Sequence, residues 1–281
     1  MAEERPYLGF VPYFTATLSR IGFNRLIASD STQWAVQTVS TLPSSKILPS
    51  AFQRVMAHLM PSYCLLCDDQ MEWLHGLCEN CLQGLPWNTS ACRRCALPLA
   101  SGQVCRRCQT RPGPFDTIIT PLIYRQPVDR MICELKYSAR LAWARTAAGL
   151  IVDTIRYRDE PLPDLLVPVP MTLRAVRRRG FQPSTTIARL IGKRLKIRTH
   201  ESIVGKYRET KRQSTLTHRE RESNISGVFE VRQQSAGRKI VLVDDVVTTG
   251  STVAELARIL KKTGAAQVRV WAFARTPVKR G

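Results

Sequence analysis

The stretch VLVDDVVTTGST, residues 241–252, decides the fold. It sits in a mostly apolar run, Lys239-Ile240-Val241-Leu242-Val243, that reads as a buried strand and ends abruptly in two carboxylates, Asp244 and Asp245. Thr248-Thr249-Gly250-Ser251-Thr252 then makes a turn of small and hydroxyl-bearing residues, and a helical pattern begins at Val253. A strand that delivers acids to its carboxyl end, followed by a turn that opens a helix, places an anion site beside a hydroxyl-binding site. The N–H groups of the turn and helix start carry roughly +0.5 charge, suited to a phosphate dianion. Paired acids accept hydrogen bonds from vicinal hydroxyls or hold a metal through water. Ribose 5-phosphate offers both groups at about that separation. The competing reading is an ordinary βα turn whose acids merely cap the helix, which leaves the coincidence of both acids with all five turn residues unexplained.

Working outward, strands alternate with helices through the second half of the chain. Residues 117–124, 165–170, 225–231, 239–243 and 267–274 read as strands, and residues 128–137, 141–157, 184–195 and 253–262 as helices. Leu141, Ala144, Ala148 and Ile151 form one helical stripe, and Cys133, beside Ile132 and Leu135, reads as a core residue. This alternation predicts an α/β fold, a mostly parallel sheet flanked by helices with ligands at the carboxyl ends of the strands.

Ahead of it lie eight of the nine cysteines, as four CxxC pairs: Cys64 and Cys67, Cys78 and Cys81, Cys92 and Cys95, Cys105 and Cys108. Each pair can offer two thiolates to one metal, and two pairs complete a tetrahedral site. Intervals of nine or ten residues suit short hairpins, so two structural zinc ions are expected. Iron–sulfur ligation fits the regular paired spacing less well. A module with so few large apolar residues needs the metal to fold, and zinc can supply on the order of 10 kcal/mol. The spacing leaves the pairing open between a sequential and a cross-braced order. His75 is redundant as a ligand and reads as a surface residue. Pro112-Gly113-Pro114 reads as a linker closing the module.

Residues 1–60 read as a poorly ordered extension, with Met56 or Met60 as an internal start in the competing reading. The resulting division is 1–60 extension, 61–112 double zinc ribbon and 113–281 α/β domain. The acidic start MAEERPYLGF lacks the marks of a secretory signal, and paired cysteines without one point to a reducing, cytoplasmic setting. No apolar run is long enough to span a membrane.

The net charge is +20 and unevenly spread: residues 171–220 hold 14 Lys/Arg against 3 Asp/Glu. A polyanion partner is the natural expectation, single-stranded DNA among them, with a merely soluble basic surface as the alternative. Within this segment, Val167-Pro168-Val169-Pro170 feeds what reads as a loop carrying Arg174, Arg177, Arg178, Arg179 and Gly180. Such arginines can face a diphosphate bidentately or simply be solvated. Residues 206–221 are polar without an apolar stripe, as a mobile loop over a site would be.

Taken together these motifs resemble the ComF/GntX branch of the type I phosphoribosyltransferases. The resemblance rests on the cysteine module, Leu135-Lys136-Tyr137, the V-P-V-P strand and Arg179-Gly180-Phe181. It continues through Thr210, Gln213, Leu216, Arg221 and Asn224, then Gly227 and Phe229, and ends in the 241–252 signature. The family writes its arginine motif R-x-R-G-F-N-Q, whereas here Gln182-Pro183 follows Phe181, so Pro183 removes a side-chain amide and a backbone donor. The resemblance implies binding of phosphoribosyl pyrophosphate (PRPP) with magnesium. Asp244 and Asp245 would meet the ribose hydroxyls or the metal shell, Thr248, Thr249, Gly250, Ser251 and Thr252 would cradle the 5-phosphate, and Lys136, Arg177, Arg178 and Arg179 would face the pyrophosphate. It also implies a link to DNA uptake or use of DNA as a nutrient, through transfer of phosphoribose or through non-catalytic handling of single-stranded DNA beside DNA-uptake proteins. Thr248 stands where purine-salvage members place an acid, which argues against a purine acceptor.

Overall fold

In a computed structural model of the chain, the described residues are 62–71, 75–101, 103–206, 228–233 and 235–278. The expectations for residues 1–60 and for most of 206–227, including Thr210, Gln213, Leu216, Arg221, Asn224 and Gly227, lie outside them.

Two short strands, β1 (Ser62–Tyr63) and β2 (Gln70–Met71), pair antiparallel across the first knuckle. Two short helices follow, α1 (Glu79–Gln83) and α2 (Arg106–Thr110), each opening directly after a cysteine, Cys78 and Cys105. The α/β part contains β3 (Ile118–Ile119), β4 (Leu122–Ile123), α3 (Val128–Tyr137), α4 (Ala142–Tyr157), β5 (Leu165–Pro168), α5 (Leu173–Arg179), α6 (Pro183–Leu195), β6 (Arg198–Thr199), β7 (Val204–Lys206), β8 (Phe229–Val231), β9 (Lys239–Val247), α7 (Ser251–Lys262) and β10 (Gln267–Arg275).

The sheet runs β3-β10-β9-β5-β6, with β4 also on β10, and every pairing is parallel. Its two long strands, β9 and β10, are the most apolar segments, as strands buried on both faces must be. One face is covered by α4 and α6, where Gly192 leaves the space that the Thr199 hydroxyl and the Ile197 carbonyl occupy. On the other face Val167, Leu242, Val270 and Ala272 share a core with Val253, Leu256 and Leu260 of α7, with Val204 and Phe229 of the antiparallel β7–β8 pair, and with Cys92, Cys95, Cys105 and Cys108. The second cysteine group is therefore built into the core of the sheet. Phe115, just after Pro112-Gly113-Pro114, is buried in the same core, so those residues are not a free tether.

Several expectations need correcting. The strand read at 117–124 is split into β3 and β4 around Thr120 and Pro121. Strand β9 continues beyond Val243 to Val247, because β10 pairs with it as far as Arg275, and the two acids thus lie inside the strand. The arginine-rich stretch is a helix, α5, capped by the Thr172 hydroxyl accepting from the Ala175 N–H and ended at Gly180. Cys133 is exposed: on α3 the core stripe is Val128, Met131, Ile132 and Leu135, and residue 133 faces away from it.

Candidate functional site

Strand β9 carries Asp244 and Asp245 to the carboxyl end of the sheet between β10 and β5, where open parallel sheets expose their binding crevice. Side chains alternate along a strand, so the two neighbouring carboxylates leave it in opposite directions and meet different partners. Asp245 is buried and forms an ion pair with the Lys136 ammonium from the last turn of α3. Burial works to lower the Lys136 ammonium, and the Asp245 carboxylate overrides it, holding it above its ordinary value. Asp244 accepts the Ser184 hydroxyl at 2.9 Å, from the first turn of α6, and the Asp245 backbone N–H at 2.9 Å. Burial and the adjacent Asp245 charge push Asp244 up to about 8. The cluster thus has one paired acid and one that gives up its proton reluctantly at neutral pH.

The turn after β9 closes on its own hydroxyls. Thr249 Oγ1 lies 2.9 Å from Ser251 Oγ and accepts the Ser251 N–H at 3.3 Å, which satisfies one amide at the start of α7. Gly250 has φ +82°, a left-handed conformation that a side chain would strain, and so fits the turn where other residues would not. Two arginines hold carbonyls at the start of the turn. Arg275 is 4 % exposed and donates to the carbonyls of Cys95 at 3.0 Å, Val247 at 2.8 Å and Thr248, while Arg107 of α2 donates to the Thr249 carbonyl at 3.2 Å.

Gln182 carries the amide that follows Arg179-Gly180-Phe181. Its Oε1 accepts the Met171 N–H and its Nε2 donates to the Val169 carbonyl, both at 3.2 Å, pinning the chain where it leaves β5. Pro183 takes the first position of α6, where its missing N–H costs nothing.

The cysteines form two groups of four, Cys64, Cys67, Cys78, Cys81 and Cys92, Cys95, Cys105, Cys108, with all sulfurs of a group within 4.8 Å of one another. This is the sequential pairing. The Cys67 and Cys78 sulfurs lie 3.6 Å apart, as do those of Cys95 and Cys105, near the ~3.8 Å edge of a tetrahedron with ~2.3 Å zinc–sulfur bonds. Burial works to raise the Cys92 thiol, but backbone N–H groups of Cys105, Cys95 and Arg94 outweigh it and bring it down to about 7. Four sulfurs per group leave no open position, as a structural zinc site requires. His75 belongs to neither group, yet it is not a loose surface residue. Its Nε2 sits 2.6 Å from Asp153 Oδ2, and its ring occupies the space a side chain at Gly149 would need.

The comparisons with known proteins match this arrangement. Residues 55–109 match the family model described as double zinc ribbon domain, and residues 142–281 that described as phosphoribosyl transferase domain. The DNA utilization protein YhgH of Escherichia coli (strain K12) is 34% identical over 223 residues, covering 77% of this chain and 98% of the relative. The chain belongs to the ComF/GntX family. A more distant relative, Competence protein F of Haemophilus influenzae, is 28% identical over 212 residues, 72% of this chain and 91% of its own length. Among solved structures, a glutamine PRPP amidotransferase from B. subtilis is 17% identical over 50% of this chain and 30% of that one, with a TM-score of 0.34. The ComF/GntX assignment rests on the sequence relatives, and the two cysteine groups together with the ribbon match support structural zinc.

In this ComF/GntX protein the structure brings Lys136, Asp244, Asp245 and the 248–252 turn together at one strand end. Arg179 joins them at the edge, stacked over the Tyr137 ring at 5.6 Å and near enough to Lys136 to oppose its charge. Arg177 and Arg178 are exposed on the last turn of α5. Three residues escaped the sequence reading: Ser184, Arg107 and Arg275. Ser184 follows Gln182-Pro183 at a helix start, where a hydroxyl is usually just a cap. Arg275 ends the otherwise apolar WAFAR run, and a lone cation finishing a buried strand was a usable signal. Arg107 had none, because its contact spans 142 residues.

Proposed function

We propose that the chain binds PRPP with magnesium at the carboxyl end of β9 and transfers phosphoribose to an acceptor, in the uptake of DNA or its use as a nutrient. One observation carries this reading: an acid pair and a hydroxyl-rich, glycine-containing turn meet at one strand end, with a helix starting at Ser251. In this proposal the turn amides and the Thr248, Thr249, Ser251 and Thr252 hydroxyls hold the 5-phosphate, and Asp244 and Asp245 accept the ribose hydroxyls. Magnesium, bound with PRPP, would neutralise charge on the departing pyrophosphate.

Reaction at C1 through an oxocarbenium-like state asks the protein mainly for positioning and charge stabilisation. Lys136 is engaged with Asp245, so it would reach the pyrophosphate only by exchanging that partner, and Arg179 at the rim, held by the Tyr137 ring and the Met171 sulfur and by no carboxylate ion pair among the described residues, is the second candidate cation. The names of the relatives connect them to DNA and competence, which supports the DNA-related part of this reading.

A second reading, binding of single-stranded DNA without catalysis, is favoured by the exposed Lys193, Arg194, Lys196 and Arg198 at the far end of α6 and the start of β6. Titration of PRPP and Mg²⁺ into the parent and into Asp244→Asn with Asp245→Asn tests the first. Binding lost in the double variant supports it, and equal affinity in both removes the site assignment. Release of pyrophosphate only when an acceptor is added would distinguish transfer from mere binding.

A further inference from the structure

We propose that the second ribbon is a working part of the phosphate turn: through Arg107 and Arg275 it fixes the peptide units at 248–250, so metal loading of Cys92, Cys95, Cys105 and Cys108 sets the turn's affinity for a sugar phosphate. The affinity clause rests on the PRPP reading above. The mechanical clause rests on contacts alone. Arg107 lies on α2 between two of the four cysteines, Cys105 and Cys108, and donates to the Thr249 carbonyl at 3.2 Å. Arg275 donates through Nε to the Cys95 carbonyl at 3.0 Å and through Nη1 to the Val247 and Thr248 carbonyls. Three consecutive carbonyls, the last of β9 and the first two of the turn, are therefore held by cations referenced to the ribbon.

In a planar trans peptide the carbonyl and the following N–H point in opposite directions. Holding the Thr248 and Thr249 carbonyls toward the arginines turns the N–H groups of Thr249 and Gly250 the other way, as an anion cradle requires. The two metal sites are unequal in this respect. The first ribbon leans on α4, where the Thr146 hydroxyl donates to the His75 carbonyl at 2.6 Å and His75 meets Asp153. The first site should thus stabilise the protein without governing the turn, and the second should do both.

The test uses the full-length, zinc-loaded protein and the exposed Arg107, with Arg106→Ala on the same helix as the charge control. Amide hydrogen exchange of residues 248–252 is followed without ligand, and PRPP with Mg²⁺ is titrated separately. Arg107→Ala should keep its zinc and its melting temperature. It should exchange in the turn about three- to tenfold faster and bind PRPP weaker by a similar factor, one hydrogen bond's worth. Arg107→Lys should recover part of both, and Arg106→Ala should change neither. Cys67→Ser, which breaks the first site, should leave exchange in the turn unaltered, whereas Cys108→Ser should raise it. Unchanged exchange in Arg107→Ala, or an equal response to Cys67→Ser and Cys108→Ser, overturns the coupling. A parent that binds no PRPP overturns the sugar-phosphate reading, while the exchange comparison still decides the coupling by itself.

Discussion

Replacing Asp244 with Asn should stabilise the protein, and increasingly so as pH rises from 5 to 8. Asn keeps an oxygen in place to accept from Ser184 and from the Asp245 N–H, so the substitution removes charge with little change of shape. Burial and the Asp245 carboxylate push the Asp244 carboxyl from an ordinary 3.8 up to about 8. Between those values the folded chain binds a proton that the unfolded chain has released. Stability therefore falls as pH rises through the window from about 4 to about 8 and is flat outside it. At pH 7 about three units of that window have been crossed, and at about 1.4 kcal/mol per unit the ceiling is about 4 kcal/mol. Asp244 is partly exposed, so solvent screening brings the expected gain at pH 8 over pH 5 to about 1–2 kcal/mol.

Urea unfolding of zinc-saturated parent and variant, followed through the buried Trp143 and Trp271, measures it. Thiol and zinc titration affects both proteins and cancels in the difference. A difference that stays flat from pH 5 to pH 8 would refute the reasoning, since Asp244 would then be ionised throughout. The same proton would leave if Asp244 joins the metal shell, so PRPP–Mg²⁺ affinity in the parent should rise with pH up to about 8. The group that weakens the fold is the one proposed to bind the ligand, the usual trade at a functional site.

Elemental analysis should find two zinc ions per chain, and one ion or an iron–sulfur absorbance would contradict the paired groups. Because the second group shares the core of the sheet, chelation should lower the unfolding temperature of the α/β part as well as release the ribbons; an unshifted sheet transition would contradict the shared core. Glu134→Gln should cost about 1 kcal/mol at pH 7. The Trp143 indole N–H, then Arg130 and Arg140, hold the Glu134 carboxyl down at about 2, so its contribution is present above pH 4.5 and lost as pH falls through about 2. A loss in urea unfolding that is equal at pH 7 and pH 2 would contradict this. Changing Lys193, Arg194, Lys196 and Arg198 together to Gln should flatten the salt dependence of single-strand binding by about 0.7 for each phosphate no longer neutralised, with PRPP affinity intact, because α6 separates them from Ser184 by roughly 15–20 Å. An unchanged slope would leave this charge to solubility.

The parts legible in the sequence were those whose physics is local. A hydrophobic run ending in Asp244 and Asp245, a turn with Gly250, and CxxC pairs at nine- and ten-residue intervals each declare themselves within a dozen residues. What escaped was set by distant partners. Strand β9 runs four residues past the apolar segment because β10 continues to pair with it, which no pattern within 239–247 announces. Helix α5 buries none of its residues, so it has no apolar stripe to betray it, and only the Thr172 cap and Gly180 mark its ends. Cys133 was misplaced because a short apolar neighbourhood on a helix does not say which face residue 133 occupies. The order of zinc pairing was open for a similar reason, since both orders satisfy the same spacing and only the packing of the hairpins separates them.

The edge of the sheet explains why a metal module belongs in this chain. Strands β3 and β4 are two residues each, too short to form a self-sufficient border, and an exposed edge invites pairing with other chains. Ribbon backbone covers it: Ile118 donates to Arg94, Asn88 donates to Pro121, and Ile123 donates to Pro86, each at 2.8 Å. The second ribbon has few large apolar side chains to hold it against that edge, so its four buried sulfurs, tied by one ion, must keep its shape. The same piece reaches the 248–252 turn through Arg107 and, by way of Arg275, through the Cys95 carbonyl. An ordinary helix could cover the edge, but it would not also bring the Cys95 carbonyl to Arg275 and Arg107 to the neighbouring Thr249 carbonyl. Metal at the second site should therefore hold both the sheet edge and the 248–252 turn, and losing it should be felt in both.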